Sequence, residues 1–486
     1  MYLGIDLGTS AVKAVLVDEN ETIIDQASDS LDVSRPQPLW SEQDPAHWWQ
    51  ATNDAVKEIA RRRPTEMKDV KAVGLSGQMH GATLLDANNE VLRPAILWND
   101  GRSGEECTEL EAAVPNSREI TGNVAMPGFT APKIAWVRKH EPAIFEQIAR
   151  VLLPKDYLRF CMTQEFAGDM SDSAGTLWLD VANRTWSDAM LEGIGLNLSH
   201  MPKLYEGTEA TGNLSPDIAQ SWGMNEVPVA GGAGDNAAGA VGVGTTQPGE
   251  AFLSLGTSGV YFASGAKYNP NPEGGVHAFC HAIPNTWHEM SVILSAASCL
   301  SWVTELTGAK DEATLMAEIE AHYDGAADSD LIFLPYLSGE RTPHNDPNAK
   351  GVFFGMTHET NRAALGQAVL EGVAFAFADG QQSLIDAGTQ IDTISVIGGG
   401  ARSAYWGKIL ASVLDRPLTY RKEAEVGPAF GAARLARLCV TGENPQEVCT
   451  APPISHTVEP DANLRKKLQT KLTKYRKLYT RLKDEF

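Results

Sequence analysis

The same four residues, LGTS, occur in both halves of this 486-residue chain, at positions 7–10 and 255–258. Each copy follows one apolar run and leads into another, which predicts a β-hairpin at both places. Glycine and short hydroxyl side chains let backbone N–H groups approach an anion closely, so both turns are predicted to hold phosphate. The residues predicted to do so are Gly8, Thr9, Ser10, Gly256, Thr257 and Ser258.

The two hairpins differ at one position that matters for metal binding. Asp6 precedes the first turn, whereas Ser254 stands at the matching place before the second. A carboxylate at a strand end suits Mg²⁺, which keeps several waters and needs few protein carboxylates. The alternative is that Asp6 only forms an Asx-turn in the hairpin. Lys13, on the next strand, could neutralise a phosphate, although a lysine on an exposed strand is ordinary.

Asp235 is the sharpest candidate for catalysis. It follows a glycine-rich stretch and precedes Asn236 and a helix-length run of small residues. A carboxylate placed there can accept the proton of an alcohol whose oxygen attacks the γ-phosphorus of a nucleotide, and it can join Asp6 at the metal. Asn236 can orient a sugar hydroxyl because its amide both donates and accepts. The alternative is that Asp235 caps the following helix.

Two loops after predicted strands complete the set. His80 follows the strand at 72–76, where sites in open α/β sheets commonly form, but a lone histidine is usually structural. The loop after the strand at 394–397 would let an adenine or ribose lie against the backbone at a helix N-terminus. A run of glycines is nevertheless more often only a turn. The loop residues are Gly398, Gly399, Gly400 and Ala401.

Composition narrows the class of protein. The chain is 43% hydrophobic and 21% charged, which is typical of a globular protein long enough for two or three domains. No apolar stretch approaches the roughly 20 residues of a membrane span. Six scattered cysteines without CxxC spacing fit a reducing compartment, and the net charge of −22 disfavours nucleic acid. We therefore expect a cytoplasmic protein with neither a membrane nor nucleic acid as partner.

Alternating strand-like and helix-length segments predict an α/β protein. Together with the repeated hairpin they predict two duplicated actin-like (ribonuclease H-like) ATPase domains around an interdomain cleft. The expected boundaries are 1–245, 246–445 and a C-terminal segment at 446–486. This last segment carries a basic amphipathic helix at 464–483, which we expect to return to the first domain. A membrane or nucleic-acid role for that helix is the alternative.

Longer motifs resemble those of a known family. Residues 128–136 (GFTAPKIAW) and 335–343 (PYLSGERTP), with the following helix at 362–377, resemble the two signatures of the FGGY family of carbohydrate kinases. The two hairpins, the Asp235 segment and the loop at 398–402 also occur in the family order. The combination is highly specific, unlike any one part.

The resemblance implies ATP-dependent phosphorylation of a sugar with Mg²⁺, with sugar on the first domain, ATP mainly on the second and Asp235 as the base. The segments at 78–81, 97–102 and 234–236 are similar to family members that act on xylulose. This similarity implies D-xylulose as the substrate, with Met79, His80 and Asn236 contacting the sugar and its 5-hydroxyl losing a proton to Asp235. A homodimer is compatible with the resemblance.

Two other functions stay open at this point. A kinase for ribulose, glycerol or gluconate would share the same motifs, because a pocket distinguishes sugars by a few hydroxyl contacts. An actin-like ATPase that drives binding or assembly would share the same core. A chaperone of that kind needs an added binding domain, for which the short segment after residue 446 leaves little room. A filament protein would polymerise with ATP.

Overall fold

The computed structural model describes residues 1–323, 329–422 and 427–486, and in these ranges the chain forms two halves around two seven-stranded sheets. The strands of the first half are β1 (Tyr2–Leu7), β2 (Ala11–Val17), β3 (Ile23–Ser30), β4 (Glu42–Gln43), β5 (Val73–Gly77), β6 (Thr83–Leu85), β7 (Ala95–Ile96), β8 (Arg150–Leu152), β9 (Ala167–Asp169), β10 (Leu179–Asp180), β11 (Thr185–Trp186), β12 (Lys203–Tyr205), β13 (Ala210–Asn213), β14 (Pro228–Ala230) and β15 (Ala233–Gly234). Its helices are α1 (Pro45–Arg62), α2 (Pro64–Lys68), α3 (Gly104–Ala113), α4 (Ser117–Thr121), α5 (Thr130–His140), α6 (Pro142–Phe145), α7 (Pro154–Thr163), α8 (Met170–Ala174), α9 (Asp188–Gly193), α10 (Pro216–Trp222) and α11 (Asp235–Val243).

The second half continues the same alternation. Its strands are β16 (Gly249–Leu255), β17 (Gly259–Gly265), β18 (His277–Cys280), β19 (Trp287–Ile293), β20 (Ile332–Leu334), β21 (Val352–Phe354), β22 (Ile391–Ile397), β23 (Leu418–Arg421) and β24 (Ile454–Val458). Its helices are α12 (Ala297–Leu306), α13 (Glu312–Tyr323), α14 (Arg362–Asp386), α15 (Ala404–Leu414), α16 (Pro428–Thr441), α17 (Pro445–Val448) and α18 (Ala462–Leu482). Within the described ranges no helix is both long enough and apolar enough to cross a bilayer.

The two sheets repeat one topology, which confirms the predicted duplicated fold. In the first, the antiparallel hairpin β1–β2 is extended by antiparallel β3 on one side and by parallel β5 and β14 on the other. In the second, β16–β17 is extended in the same way by β19 and by β22 and β23. Both LGTS segments form the end of a hairpin, as the sequence predicts.

Local sequence explains the first long helix. The Asp44 side chain accepts a hydrogen bond from the Ala46 N–H, and Pro45 occupies the first helical position, where its missing N–H is harmless. Buried Trp48, Val56 and other residues at helical spacing then form the stripe that packs against β2 and β3. The start of α1 is thus set by its cap and its proline, and its length by the buried stripe.

Helix α16 belongs to the second half by sequence but packs on the first sheet, across β1 and β5. Its backbone lies so close that a Cβ added at Gly4 or Gly74 would overlap the carbonyl oxygen of Ala429 or Ala432. On its other side, a Cβ at Gly431 would overlap backbone of α11. Glycine is therefore required where these backbones meet, and α16 locks α11 against the first sheet.

The expectation that the C-terminal helix returns to the first domain is wrong. β24 pairs with β23, and the apolar stripe of α18 is buried in the second-half core beside α14 and α15. Polar contacts fix this position: Lys471 pairs with buried Glu371, and the Tyr475 hydroxyl lies 2.8 Å from the Tyr336 hydroxyl. The amphipathic pattern shows that one face is buried but not against what. The segment that does return is α16.

Candidate active site

Strand register brings the two predicted carboxylates to one edge of the first sheet. In the pairing of β1 with β5, Asp6 stands opposite Ser76, and in the pairing of β15 with β5, Ala233 stands opposite the same Ser76. Asp235 begins α11 two residues after Ala233. The carboxyl ends of parallel strands meet at the same edge of a sheet, which is where open α/β folds bind ligands.

Both carboxylates lie in surroundings that disfavour negative charge. Burial raises the pKa of Asp6 to about 6, and its Oδ1 is buried without a hydrogen-bond partner in the described part of the chain. Burial raises the pKa of Asp235 to about 7, and the charge of Asp6 adds to the rise while hydrogen bonds from Asn236 oppose it. A divalent cation would relieve this repulsion, so the pair suits Mg²⁺.

The predicted cation site rests on these two side chains alone. No group of three or more His, Cys, Asp or Glu side chains in metal-binding arrangement occurs in the described ranges. Magnesium commonly uses one or two carboxylates and completes its shell with water and substrate phosphates. The donor set around Asp6 and Asp235 therefore matches that mode of binding.

Asn236 holds one oxygen of the Asp235 carboxylate. Oδ1 accepts hydrogen bonds from the Asn236 backbone N–H at 2.7 Å and from its side-chain Nδ2 at 3.0 Å, whereas Oδ2 accepts none from the described residues. The N-cap of α11 is Gly234, so Asp235 lies in the first turn and is not the capping residue. Oδ2 is thus the oxygen left to accept a proton.

A buried polar network fixes the loop that carries Asp235. The Gly234 N–H donates to the Ser171 hydroxyl at 3.2 Å, and that hydroxyl donates to Asp169 at 2.6 Å. Asp169 in turn pairs with fully buried Lys155 at 2.7 Å. Arg159 donates to the carbonyl oxygen of a second loop glycine, at position 231. The loop that carries Asp235 is therefore positioned by charges that have no contact with solvent.

The four predicted sugar and base residues line a single cavity of about 230 Å³, which suits a small polar molecule. Both halves contribute to its wall, so a ligand there touches both. Ser258, predicted for phosphate, also reaches it. The full lining is Met79, His80, Trp98, Met126, Gly128, Phe129, Asp235, Asn236, Ser258, Val260, His277, Phe279, Met290, Val292 and Arg341.

Several lining residues were missed at the sequence level. Trp98, Phe129 and Arg341 lie inside motifs that the sequence does display, but the motifs give no role to those three side chains. His277 and Phe279 lie on β18, in a segment with no motif at all. Their place in the wall follows only from the packing of the two halves.

His80 is a neutral ring with a defined tautomer. Its Nδ1 lies 2.7 Å from the carbonyl oxygen of Gly175, and because a carbonyl only accepts, Nδ1 carries the proton. Burial lowers the pKa of His80 to about 3, which keeps the ring neutral. Nε2 is therefore a hydrogen-bond acceptor. The ring of Phe129 packs edge-on against it, with centroids 4.8 Å apart.

The first predicted phosphate turn is tied to the wall of the cavity. The Thr9 hydroxyl donates to Gln78 Oε1 at 3.0 Å and accepts from the Trp98 indole N–H at 2.9 Å. The Gly8 N–H closes the turn by donating to the Ala11 carbonyl at 3.0 Å. Four turn N–H groups donate to no backbone carbonyl in the described part of the chain, so they remain free to bind an anion. They belong to Thr9, Ser10, Thr257 and Ser258.

A second, larger cleft of about 1100 Å³ adjoins the first hairpin. Lys13 from the first half and Gly398 and Gly399 from the second both line it. Gly398 has φ of +91°, and a Cβ there would lie 2.9 Å from the Leu255 carbonyl carbon, so glycine is required. The predicted adenosine loop thus touches the strand that leads into the second turn. Gly400 also lies against Leu255, and the side chain of Ala401 is outside the described residues.

Both halves of the chain match one known protein family. Residues 1–242 match the N-terminal domain of the FGGY family of carbohydrate kinases, and residues 251–438 match its C-terminal domain. The chain belongs to the FGGY family of carbohydrate kinases. It is therefore an enzyme that phosphorylates a carbohydrate, and the predicted family membership is confirmed.

Individual relatives are similar over their full length. A xylulose kinase of Escherichia coli (strain K12) is 55% identical over 483 residues, 99% of each chain. The structure of a xyloylose kinase from Brucella ovis superimposes with a TM-score of 0.97 at 51% identity, covering 100% of both chains. A gluconate kinase from Lactobacillus acidophilus gives a TM-score of 0.92 at 22% identity, covering 99% of this chain and 97% of that one, and shows the fold alone.

Proposed function

We propose that this carbohydrate kinase transfers the γ-phosphoryl group of ATP to the 5-hydroxyl of D-xylulose, giving D-xylulose 5-phosphate and ADP. The observation that carries the proposal is the single cavity in which Met79, His80, Asp235 and Asn236 meet. The names of the relatives with 51% and 55% identity support the choice of sugar. The gluconate kinase has the same fold at only 22% sequence identity, so the fold by itself supports no particular sugar.

In the proposed reaction the 5-hydroxyl gives its proton to Asp235 Oδ2 while the hydroxyl oxygen forms a bond to the γ-phosphorus. The bond from that phosphorus to the bridging oxygen of ADP breaks in the same displacement. The hydrogen bonds from Asn236 occupy Oδ1, which leaves Oδ2 for the sugar, and His80 Nε2 accepts a hydrogen bond from a sugar hydroxyl. Asp6 and Asp235 would hold Mg²⁺, which neutralises phosphate charge when bound.

The nucleotide would occupy the larger cleft. Its adenosine would lie against the backbone of Gly398 and Gly399, with Lys13 in the same cleft. Its phosphates would extend from the cleft to the free N–H groups of the two turns. These contacts come from both halves, as do those to the sugar. Binding both substrates would therefore hold the halves together and keep out water, which otherwise competes as acceptor.

The substrate is tested by ADP release from Mg-ATP with D-xylulose, D-ribulose, L-ribulose, glycerol and gluconate. We expect kcat/KM for D-xylulose to exceed the others by about 100-fold, the range that a few hydroxyl contacts provide. A preference for another member would retain the kinase and replace the sugar. ADP release that none of the five compounds stimulates would overturn the proposed sugar and point to a carbohydrate outside this panel.

A methyl group at position 175 should weaken sugar binding alone. Gly175 has φ of −76°, which alanine adopts freely, but its Cβ would lie 2.6 Å from the His80 ring and 2.9 Å from Met79 Cε. We expect Gly175→Ala to raise KM for the sugar about 10-fold, the loss of one well-placed hydrogen bond. KM for ATP should stay unchanged. An unaltered sugar KM in steady-state assays would remove His80 and Met79 from the sugar site.

A further inference from the structure

Arg341 places a positive charge in the wall of the cavity that holds Asp235. Its guanidinium forms no ion pair with a carboxylate of the described residues. Within the described ranges, its one side-chain hydrogen bond runs from Nη1 to Nε2 of His277, at 3.5 Å. Burial lowers the pKa of Arg341, although a guanidinium stays protonated in proteins. The charge of Glu340 offsets part of the cost of burial, but most donors of the guanidinium meet no acceptor in the described part of the chain. Unsatisfied donors of a buried charge are costly, and such groups persist where a ligand completes them.

The backbone on either side of Arg341 is fixed to the end of β19. Glu340 accepts a hydrogen bond from the Leu294 N–H at 2.9 Å. Thr342 donates to the Val292 carbonyl at 3.0 Å and accepts from the Val292 N–H at 3.0 Å. Neighbours on both sides are thus bound at or just beyond the end of β19, which fixes where the Arg341 side chain leaves the backbone.

The partner of Arg341 is itself held in one tautomer. The Asn123 amide donates to the carbonyls of Thr121 at 2.7 Å and Ala278 at 3.0 Å, so its oxygen is the group that faces His277 Nδ1, at 3.1 Å. His277 Nδ1 therefore carries the proton and Nε2 accepts from Arg341. This chain of hydrogen bonds starts in the first half and orients a guanidinium of the second.

The lining of the cavity thus includes two groups of opposite character, Asp235 and Arg341. Asp235 is an acceptor once ionised, whereas Arg341 only donates, and the two charges balance for a neutral ligand. A 2-ketose matches both groups. The hydroxyl at the end away from its ketone can donate to Asp235, and its ketone oxygen, which only accepts, can bind Arg341. The planar fork of a guanidinium can donate to two neighbouring oxygens at once.

We propose that Arg341 determines specificity by binding the 2-ketone and 1-hydroxyl oxygens of the ketopentose. This inference rests on the proposed function. D-xylulose has primary hydroxyls at both ends, at carbons 1 and 5, and either could in principle meet Asp235. Because Arg341 holds the ketone end away from the base, it fixes phosphorylation at carbon 5. Arg341 therefore sets which end of the sugar reacts, in addition to how tightly the sugar binds.

The test is Arg341→Met, which keeps the length of the side chain and removes its donors. Products formed from D-xylulose and Mg-ATP are identified by phosphorus NMR. We expect the wild-type protein to form only the 5-phosphate and the variant to form at least about 10% 1-phosphate. KM for D-xylulose should rise about 10- to 100-fold, the loss of charge-assisted hydrogen bonds, with the Kd for ATP unchanged. Arg62→Met, at an exposed ion pair with Asp25, is the matched control and should change neither product nor KM.

Each outcome of the Arg341→Met experiment supports or overturns the proposed role of Arg341. An active variant that forms only the 5-phosphate with wild-type KM overturns the role of Arg341 and leaves the proposed function standing. Wild-type protein that does not phosphorylate D-xylulose overturns both. Where Arg341→Met does not fold, Arg341→Lys keeps the charge but loses the fork. A 1-phosphate fraction or a raised sugar KM in that variant supports the inference, and wild-type values for both overturn it.

Discussion

Replacing Asp235 by asparagine is expected to lower kcat for sugar phosphorylation by about 10³-fold, within the range that general-base catalysis contributes. Asparagine keeps the size of the side chain and its hydrogen bond to Asn236, but its amide cannot take the proton of the attacking hydroxyl. The Kd for ATP without metal, measured by titration calorimetry, should change little because Asp235 does not line the cleft proposed for the nucleotide. Turnover within 10-fold of wild type would remove Asp235 from the role of base.

The pH profile gives a second readout of the same role. Because burial and the charge of Asp6 raise the pKa of Asp235 to about 7, a large fraction of the carboxylate is protonated at mildly acidic pH. A protonated carboxyl cannot act as base, so kcat/KM of the wild-type protein should fall as the pH drops through about 7. The residual activity of Asp235→Asn should lack this limb. The same acidic fall of kcat/KM in the variant would show that another group, such as Asp6, causes it.

The second large effect is on the free energy of unfolding. We expect Gly74→Ala to destabilise the protein by at least about 4 kcal/mol, a loss that single substitutions reach only by severe overpacking or a comparable defect. The new methyl would overlap the Ala432 carbonyl oxygen, and a backbone atom cannot turn aside as a side chain can. Relief would require α16 to move off β1 and β5, where Gly4 makes the same close approach.

Gly104→Ala is the matched control for that substitution. A Cβ at Gly104, in the first turn of α3, meets nothing within 4 Å. Alanine is the better helix former, so this variant should be as stable as wild type or slightly more stable. Urea denaturation followed by circular dichroism compares the two variants. Equal stabilities would show that α16 can shift away from the first sheet at little cost.

Features that depend on a few neighbouring residues were predictable from the sequence. The turns at 8–10 and 256–258 follow from glycine and hydroxyl side chains between apolar runs, and α1 follows from Asp44 and Pro45 at its start. The proximity of Asp6 to the loop of Asp235 is expected because both lie at the ends of strands. Its cause, the shared pairing with β5, appears only in the structure.

Features that depend on which surfaces meet were not predictable. The apolar stripe of α18 is equally compatible with either half of the chain. In the structure α18 packs on the second half, where Lys471 and Tyr475 contact buried Glu371 and Tyr336. Arg341 and His277 come close only after β18 and β19 fold beside the loop that follows β20. A single sequence records the apolar or charged character of each surface, whereas the choice of partner depends on the shape of the whole molecule.

The crossing of α16 onto the first sheet has a consequence for synthesis on the ribosome. The strands β1 and β5 are complete once residue 77 has been made, but the helix that covers their glycines ends at residue 441. At roughly 5–20 residues per second, translation of the intervening chain lasts on the order of 20 s or more. Throughout that interval one face of the nascent sheet stays uncovered. The N-terminal half therefore cannot finish folding ahead of the rest, and its open face is where a ribosome-bound chaperone would be needed.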